Sequence, residues 1–419
     1  MTKRASTITF RMLIALALIA CSVVSPPQRA IASSPTVRQC STAEARTDFG
    51  KTFSQDLKVQ AGSVKRVAPP NGAPAYSLRL HLHVDGTVSR GTQVVFRDEN
   101  YSFLASAGPL DFTTDQDGAS LWTGSMVAKS VLVEYVSDNP SSTLTVDTLI
   151  ASPEQTETAR VFSSRTSTPT WPFVEDSDDV PAKMLSDKVG FLVGTSIEGA
   201  DAKNWCCTAV LVAPDVALTN WHCGPVSDEG RRWENSDCSA ILIDFGWLKS
   251  AERIRRQYSC SEILAANEQL DFAFLAIKPV IGSGAVVGQP AFVKRGKPPA
   301  ATSKIFVIHH AMCNFKRISN CSVDGAQYPG WTTPLPLGSP SLTQKNFTEF
   351  THFCPTEAGS SGAPVFDDTG RLVGLHHAGF NVDPSCPDDR LNKAIRIDAI
   401  LNSLSTDHSE LLQRLGWTQ

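Results

Sequence analysis

Residues 357–379 constrain the fold more than any other stretch of the chain. Gly359, Ser360, Ser361 and Gly362 make a tight polar turn. A short apolar run follows at 364–366, then a turn at 367–370 and a second apolar run at 372–375. Short apolar runs divided by turn residues predict a β-hairpin. The two glycines let the backbone bend so that successive N–H groups converge on one point. Ser361 then sits at the mouth of the hairpin, beside donors suited to an oxyanion. Ser-Gly turns are common in ordinary loops, so the weight of this one depends on what lies upstream.

Two upstream segments bear on it. Residues 206–223 carry two apolar runs around Pro214-Asp215, the pattern of a second hairpin. Cys207 and Cys223 sit at its ends, and a disulfide between them would fix His222 at the end of a strand. Residues 270–277 are apolar except for Asp271, which opens the run. A carboxylate there must be hydrogen-bonded, because burying it alone is costly; an imidazole N–H would satisfy it. His222, Asp271 and Ser361 therefore occur in that order. An α/β-hydrolase would run serine, acid, histidine with a G-x-S-x-G turn, and Ala363 breaks that motif. The order found is that of a double β-barrel.

The rest of the chain fits secreted, β-rich architecture. At 419 residues it accommodates two or three domains. The net charge of −4 comes without a basic patch, so nucleic acid is not an expected partner. Lys3, Arg4 and Arg11 flank the apolar run 12–20, which is too short to span a bilayer, and Ala30-Ile31-Ala32 supplies a cleavage site. Residues 1–32 read as an export signal. Leu18-Ile19-Ala20-Cys21 also fits a lipoprotein signal with a lipid anchor at Cys21; the offset of the cleavage site favours plain secretion. No later segment is expected to cross a membrane. Of eleven cysteines, ten remain beyond Cys21, an even number that implies disulfides in an oxidising compartment. Their spacing is not that of a zinc site, and neither metal nor cofactor is expected.

Residues 33–55 are polar and read as loose. Alternating runs at 76–84, 92–96, 130–135 and 142–150 predict a β-sandwich, giving an N-terminal domain over 33–150. His81 and His83 share one strand face there; without a third ligand they read as solvent-facing. Residues 151–185, with an acidic run at 175–179, read as an exposed linker. Strands are expected at 189–193, 208–212, 216–219, 240–245, 272–277 and 304–308. The i, i+3, i+4 spacing at 397–404 and 409–415 predicts short terminal helices. The domain over 186–419 is thus all-β with a short C-terminal helix.

Residues from about 186 to 400 resemble a chymotrypsin-fold serine endopeptidase of the bacterial secreted type. Thr219-Asn220-Trp221-His222-Cys223 is similar to the family's T-A-x-H-C, Asp271-Phe272-Ala273-Phe274-Leu275 to its D-x-A-L-L, and Gly359-Ser360-Ser361-Gly362-Ala363-Pro364 to its serine motif. Residues 308–319 and 356–362 resemble segments of lysyl endopeptidases, and the 56–150 region is similar to the β-rich part of their precursors. The resemblance implies Ser361 as nucleophile, His222 as base and Asp271 as its orienting acid, with the N–H groups of Gly359 and Ser361 as oxyanion donors. It implies protein or peptide substrates and a secreted, periplasmic or cell-surface location.

Two departures stand out. Ser360 replaces the aspartate that pairs with a freed N-terminus in digestive members, so maturation would act by releasing the N-terminal domain. Asn220-Trp221 replaces two small residues. The resemblance places Thr356 and 376–379 on the walls of the primary pocket. His376 matches the glutamyl endopeptidases and His377 the lysyl ones, with Gly379 beside them and Asp388 or Asp389 as the carboxylate a lysine pocket needs; the choice stays open. Beyond Cys207–Cys223, the expected disulfides are Cys313–Cys321, Cys354–Cys386 and Cys238–Cys260, with Cys40 and Cys206 left to tie the N-terminal segment to the protease-like region. Two other readings are a catalytically inactive protease-like binding or adhesion protein, against which the intact triad argues, and an esterase, against which the order argues.

Overall fold

The apolar runs around the three candidate residues are almost unbroken because their strands are buried on both faces. In the strand Phe272–Pro279, Ala273, Leu275 and Ile277 enter the core of one barrel. Phe272 and Phe274 point the other way, into a second core shared with helices and a second barrel. The strand Asp201–Ala213 does the same, with Ala209 and Leu211 on one side and Val210 and Val212 on the other. Side chains alternate along a strand, so two-sided burial requires apolar residues at every position. Each fully buried Leu or Phe contributes about 1.5–3 kcal/mol.

The computed structural model describes residues 47–114, 118–152, 171–198, 201–225, 233, 238, 240–250, 256–280, 299–327, 348–379 and 392–417. The expected signal with Cys21, and Cys40, Cys386, Asp388 and Asp389, lie outside the described residues. Six antiparallel strands form the first barrel, in the ring order Asp201–Ala213, Val189–Glu198, Leu242–Asp244, Gln257–Asn267, Phe272–Pro279 and Val216–Thr219. Pairing of Val216–Thr219 with Asp201–Ala213 closes it. The second barrel runs Arg317–Ser322, Lys304–His309, Pro364–Asp367, Leu372–Ala378, Asn392–Arg396 and Glu349–His352, and a bridge between Val323 and His352 closes it. The fold is all-β, a chymotrypsin-like double barrel. The helices Ile397–Asp407 and Ser409–Arg414 lay Ile400, Leu404 and Leu411 on the core between the barrels. Among the described residues, no helix is long and apolar enough to cross a membrane.

Upstream, a five-stranded sheet (Lys51–Gln60, Thr143–Ser152, Ser77–Asp85, Gly118–Trp122, Thr113–Thr114) faces a four-stranded one (Ser63–Val67, Val131–Val136, Gln93–Arg97, Phe103–Ala107). Leu78, Leu80, Leu82 and Val84 point into the core they share. His81 and His83 lie on the opposite face, where His81 Nδ1 is 2.8 Å from Asp147 and His83 Nε2 is 3.2 Å from Asp85.

Two expectations about connecting segments are corrected. Of residues 33–55, the described part is ordered into strands: Thr47–Asp48 pairs with Cys206 and Trp205 on the first barrel, and Lys51–Gln60 is an edge strand. Its apolar residues are Phe53, Leu57 and Val59, and Gln55 together with a shift in register against Thr143–Ser152 breaks the alternation in the sequence. Of residues 151–185, the described part 171–185 is not a free linker. Trp171, Phe173 and Val174 are buried, Val174 N–H donates to Lys316 O (3.0 Å), and Ile318 N–H donates to Pro172 O (3.1 Å). The acidic run is also engaged: Glu175 accepts from the Lys249 backbone N–H (2.7 Å), and Asp179 caps the helix Val180–Ser186 by accepting from Ala182 N–H (3.0 Å).

The sandwich and the first barrel interlock. Phe49 lies edge-on to Phe191 and Trp247, with ring centroids 5.0 and 5.9 Å away. Arg79, on a sandwich strand, is buried; its guanidinium donates to Thr123 O, Ala240 O and Thr195 Oγ1 at 3.0–3.2 Å. Burial pushes the Arg79 guanidinium down to about 9.

Candidate active site

His222 and Asp271 are brought together by the first barrel. Trp221–Cys223 is a single helical turn directly after the strand Val216–Thr219, and Asp271 immediately precedes the strand Phe272–Pro279 that pairs with it. His222 Nδ1 donates to Asp271 Oδ2 at 2.7 Å, and the His222 backbone N–H donates to Oδ1 at 2.9 Å. Asp271 is 1% exposed and adopts φ +44°. Such a backbone is uncommon for a non-glycine residue. The buried Asn220 side chain holds it, donating through Nδ2 to the Asp271 carbonyl at 2.8 Å. Asn220 thus has a structural task beside Asp271. Trp221 packs against the core of the first barrel. Burial alone would raise the Asp271 carboxyl; the His222 imidazole, then His377, outweigh it and hold the group well below the usual carboxylate range.

The serine turn belongs to the second barrel and is stitched to the first by Thr208. The Thr208 N–H donates to Ser361 O at 2.7 Å, and its hydroxyl donates to Gly359 O at 2.9 Å. Thr219 Oγ1 in turn donates to Thr208 O at 2.8 Å. Ser361 O also lies 3.9 Å from Cys223 Sγ, beside His222 in sequence. The turn tolerates no side chain at either glycine. A Cβ on Gly362 (φ +83°) would lie 2.0 Å from Thr208 O, and one on Gly359 (φ +92°) 2.7 Å from His310 O. A lone threonine in a β-run carries no signal of such a role in the sequence.

Ser360 is anchored from below. Its hydroxyl accepts from Glu357 N–H (3.1 Å) and donates to His309 Nδ1 (2.7 Å). His309 Nε2–H donates to Ser319 Oγ (2.9 Å), whose proton goes to Pro355 O (2.8 Å). Every group in this chain is satisfied by a neutral imidazole. Burial, with His376 and Arg317 nearby, pushes His309 down to about 3.

The residues expected to line a substrate pocket are placed differently from one another. Thr356, His376, His377 and Gly379 are all buried. His376 Nδ1 is 3.3 Å from His352 Nε2. His377, expected on a pocket wall, instead turns Nδ1 to Asp271 Oδ2 (3.2 Å) and Nε2 to Glu349 Oε1 (3.5 Å). Nothing in the sequence marks Glu349: Phe347, Phe350 and Phe353 recur every third residue and show no strand alternation.

Four disulfides occur among the described residues: Cys206–Cys313, Cys207–Cys223, Cys238–Cys260 and Cys321–Cys354. The expected Cys313–Cys321 and Cys354–Cys386 bonds are replaced, and Cys206 does not await Cys40. Neighbours on a strand point to opposite faces. Cys207 therefore enters the barrel core, while Cys206 reaches the turn Ala311–Cys313 beneath the second barrel. Ring closure at His352 and Val323 brings Cys354 to Cys321. The clusters Cys207–His222–Cys223 and Cys321–His352–Cys354 bring ligand-type atoms together, but their sulfurs are bonded to each other and offer no thiolate.

No curated protein sequence matches the chain. Solved structures similar to it include the active form of the Rv3671c protease from M. tuberculosis, at 15% identity and a TM-score of 0.40 over 62% of this chain and 96% of that one. Another is Deg5, at 15% identity and a TM-score of 0.35 over 53% and 89%. Residues 207–375, the span from the first hairpin to the strand after the serine turn, match the family model described as the trypsin-like peptidase domain.

Proposed function

We propose that the protein is a secreted serine endopeptidase that works through His222, Asp271 and Ser361. The observation that carries the reading is the His222–Asp271 pair. A buried carboxylate takes both the ring and the backbone N–H of one histidine, on the barrel seam to which Thr208 ties Ser361. With Nδ1–H committed to Asp271, the lone pair of His222 is on Nε2, the tautomer a general base requires. Ser361 Oγ attacks the scissile carbonyl and its proton passes to His222 Nε2. Asp271 stabilises the imidazolium until the proton returns to the leaving amine. The N–H groups of Gly359 and Ser361 hold the tetrahedral oxyanion, and each such donor is worth roughly 3–4 kcal/mol. The basic and apolar start of the chain and the disulfides support export to an oxidising compartment.

The test is cleavage of a peptide library by the purified full chain, by Ser361→Ala and by His222→Ala. Hydrolysis by the wild type and its loss in both variants, with unchanged folding, is the expected result, and the same assay reads the residue preferred before the cut bond. Wild-type-like hydrolysis in His222→Ala would mean that the base is another residue.

A further inference from the structure

We propose that Glu349 and His377 form a buried ion pair that acts as a positioning device behind Asp271, orienting this carboxylate towards His222; the role rests on the triad reading above. The geometry carries the inference. Both ring nitrogens of His377 face carboxylate oxygens, Asp271 Oδ2 at 3.2 Å and Glu349 Oε1 at 3.5 Å. A neutral imidazole has one N–H and would turn a lone pair on one of the two carboxylates. Only the imidazolium turns an N–H to both, hydrogen-bonding Asp271 at one end and meeting Glu349 as an ion pair at the other. Glu349 has none of its surface exposed, and among the described residues His377 is its sole ion-pair partner. An isolated buried carboxylate is strongly disfavoured, so the charge on His377 is what makes Glu349 tolerable there.

The charge count explains why the two come together. A cation set against Asp271 alone would cancel the negative charge that stabilises the His222 imidazolium. Glu349 restores it: Asp271, His377 and Glu349 together carry one negative charge, as a lone aspartate would, while Asp271 gains a second fixed donor. The other titratable groups around His377 are His222, through the shared Asp271, the adjacent His376, His352 beside it, and Lys393, which pairs in register with Ala378. His352 is held well below its ordinary value by burial and by His376. His377 goes the other way: burial pulls it down, but Glu349 and Asp271 push it up to about 9.

The experiment uses the full chain labelled with ¹⁵N-histidine, compared with Glu349→Gln and with Glu349→Gln/His377→Gln, which leaves no unpaired charge. Wild-type hydrolysis is measured first. Its absence overturns the triad reading on which the role depends. At pH 7.5 both His377 ring nitrogens are expected to be protonated in the wild type and only one in Glu349→Gln, the double variant supplying the assignment. A neutral His377 in the wild type overturns the ion pair. Kinetically, Glu349→Gln is expected to lower kcat about ten- to a hundredfold with KM little changed, and to move the alkaline limb of the pH profile from near 9 to lower pH. An active wild type whose kcat and pH profile survive Glu349→Gln overturns the positioning role while leaving the triad intact.

Discussion

His309 and His377 are both buried in the second barrel, yet they hold their neighbours by opposite means. His309 lies between two serine hydroxyls and passes a directed chain of neutral hydrogen bonds from Glu357 to Pro355. His377 lies between two carboxylates. Desolvation disfavours the charged ring in both places. Only the second offers anions that outweigh it, so one ring is pushed down to about 3 and the other up to about 9. The serine turn is therefore fastened by neutral bonds, while the His222–Asp271 pair is governed by charge.

The largest way to break the charged side is Asp271→Asn. It leaves the shape but favours the wrong His222 tautomer, and kcat should fall about 10⁴-fold; steady-state kinetics with folding checked by circular dichroism reads this. The pH dependence of stability sharpens the contrast. His377 is raised above its ordinary value near 6.5, so its contribution is complete below that pH and is lost as pH rises through about 9, a change on the order of 3 kcal/mol. His309 is depressed, so its contribution is complete above 6.5 and is lost as pH falls towards about 3. Compared with the wild type in denaturant unfolding, Glu349→Gln should remove the alkaline loss that His377 contributes and leave the acid side unchanged.

On the neutral side, His309→Leu strands the Ser360 and Ser319 hydroxyls and should cost about 2–3 kcal/mol. Its kcat should fall without a change in pH profile, because no charge is removed. The smallest effect is expected from Asn220→Ala. It releases the Asp271 carbonyl and the φ +44° backbone, lowering stability by about 1–2 kcal/mol and kcat a few-fold; chemical denaturation and peptide kinetics measure both.

What was legible in the sequence follows the same division. The strands that carry His222, Asp271 and Ser361 are buried on both faces, and the glycines of the serine turn have no alternative, so local pattern pointed to them. The strands Lys51–Gln60 and Gln257–Asn267 shift register against their partners, and these irregularities break the alternation that would mark them. The Cys206–Cys313 bond spans 107 residues and depends on how the barrels meet, which no spacing reports. Trp171 and Phe173 look like part of a polar stretch until the surface that receives them is seen. Resemblance alone points His377 to a pocket; its partner Glu349 becomes visible only when the second barrel closes and sets Glu349–His352 beside Asn392–Arg396.

The most direct measurement of the central claim is labelling of the full chain with an active-site serine phosphonate, followed by peptide mapping. The account predicts one label per molecule, on Ser361, abolished in Ser361→Ala and reduced to background in His222→Ala. A wild-type protein that carries no label on Ser361, or a Ser361→Ala variant that labels as strongly, would contradict it.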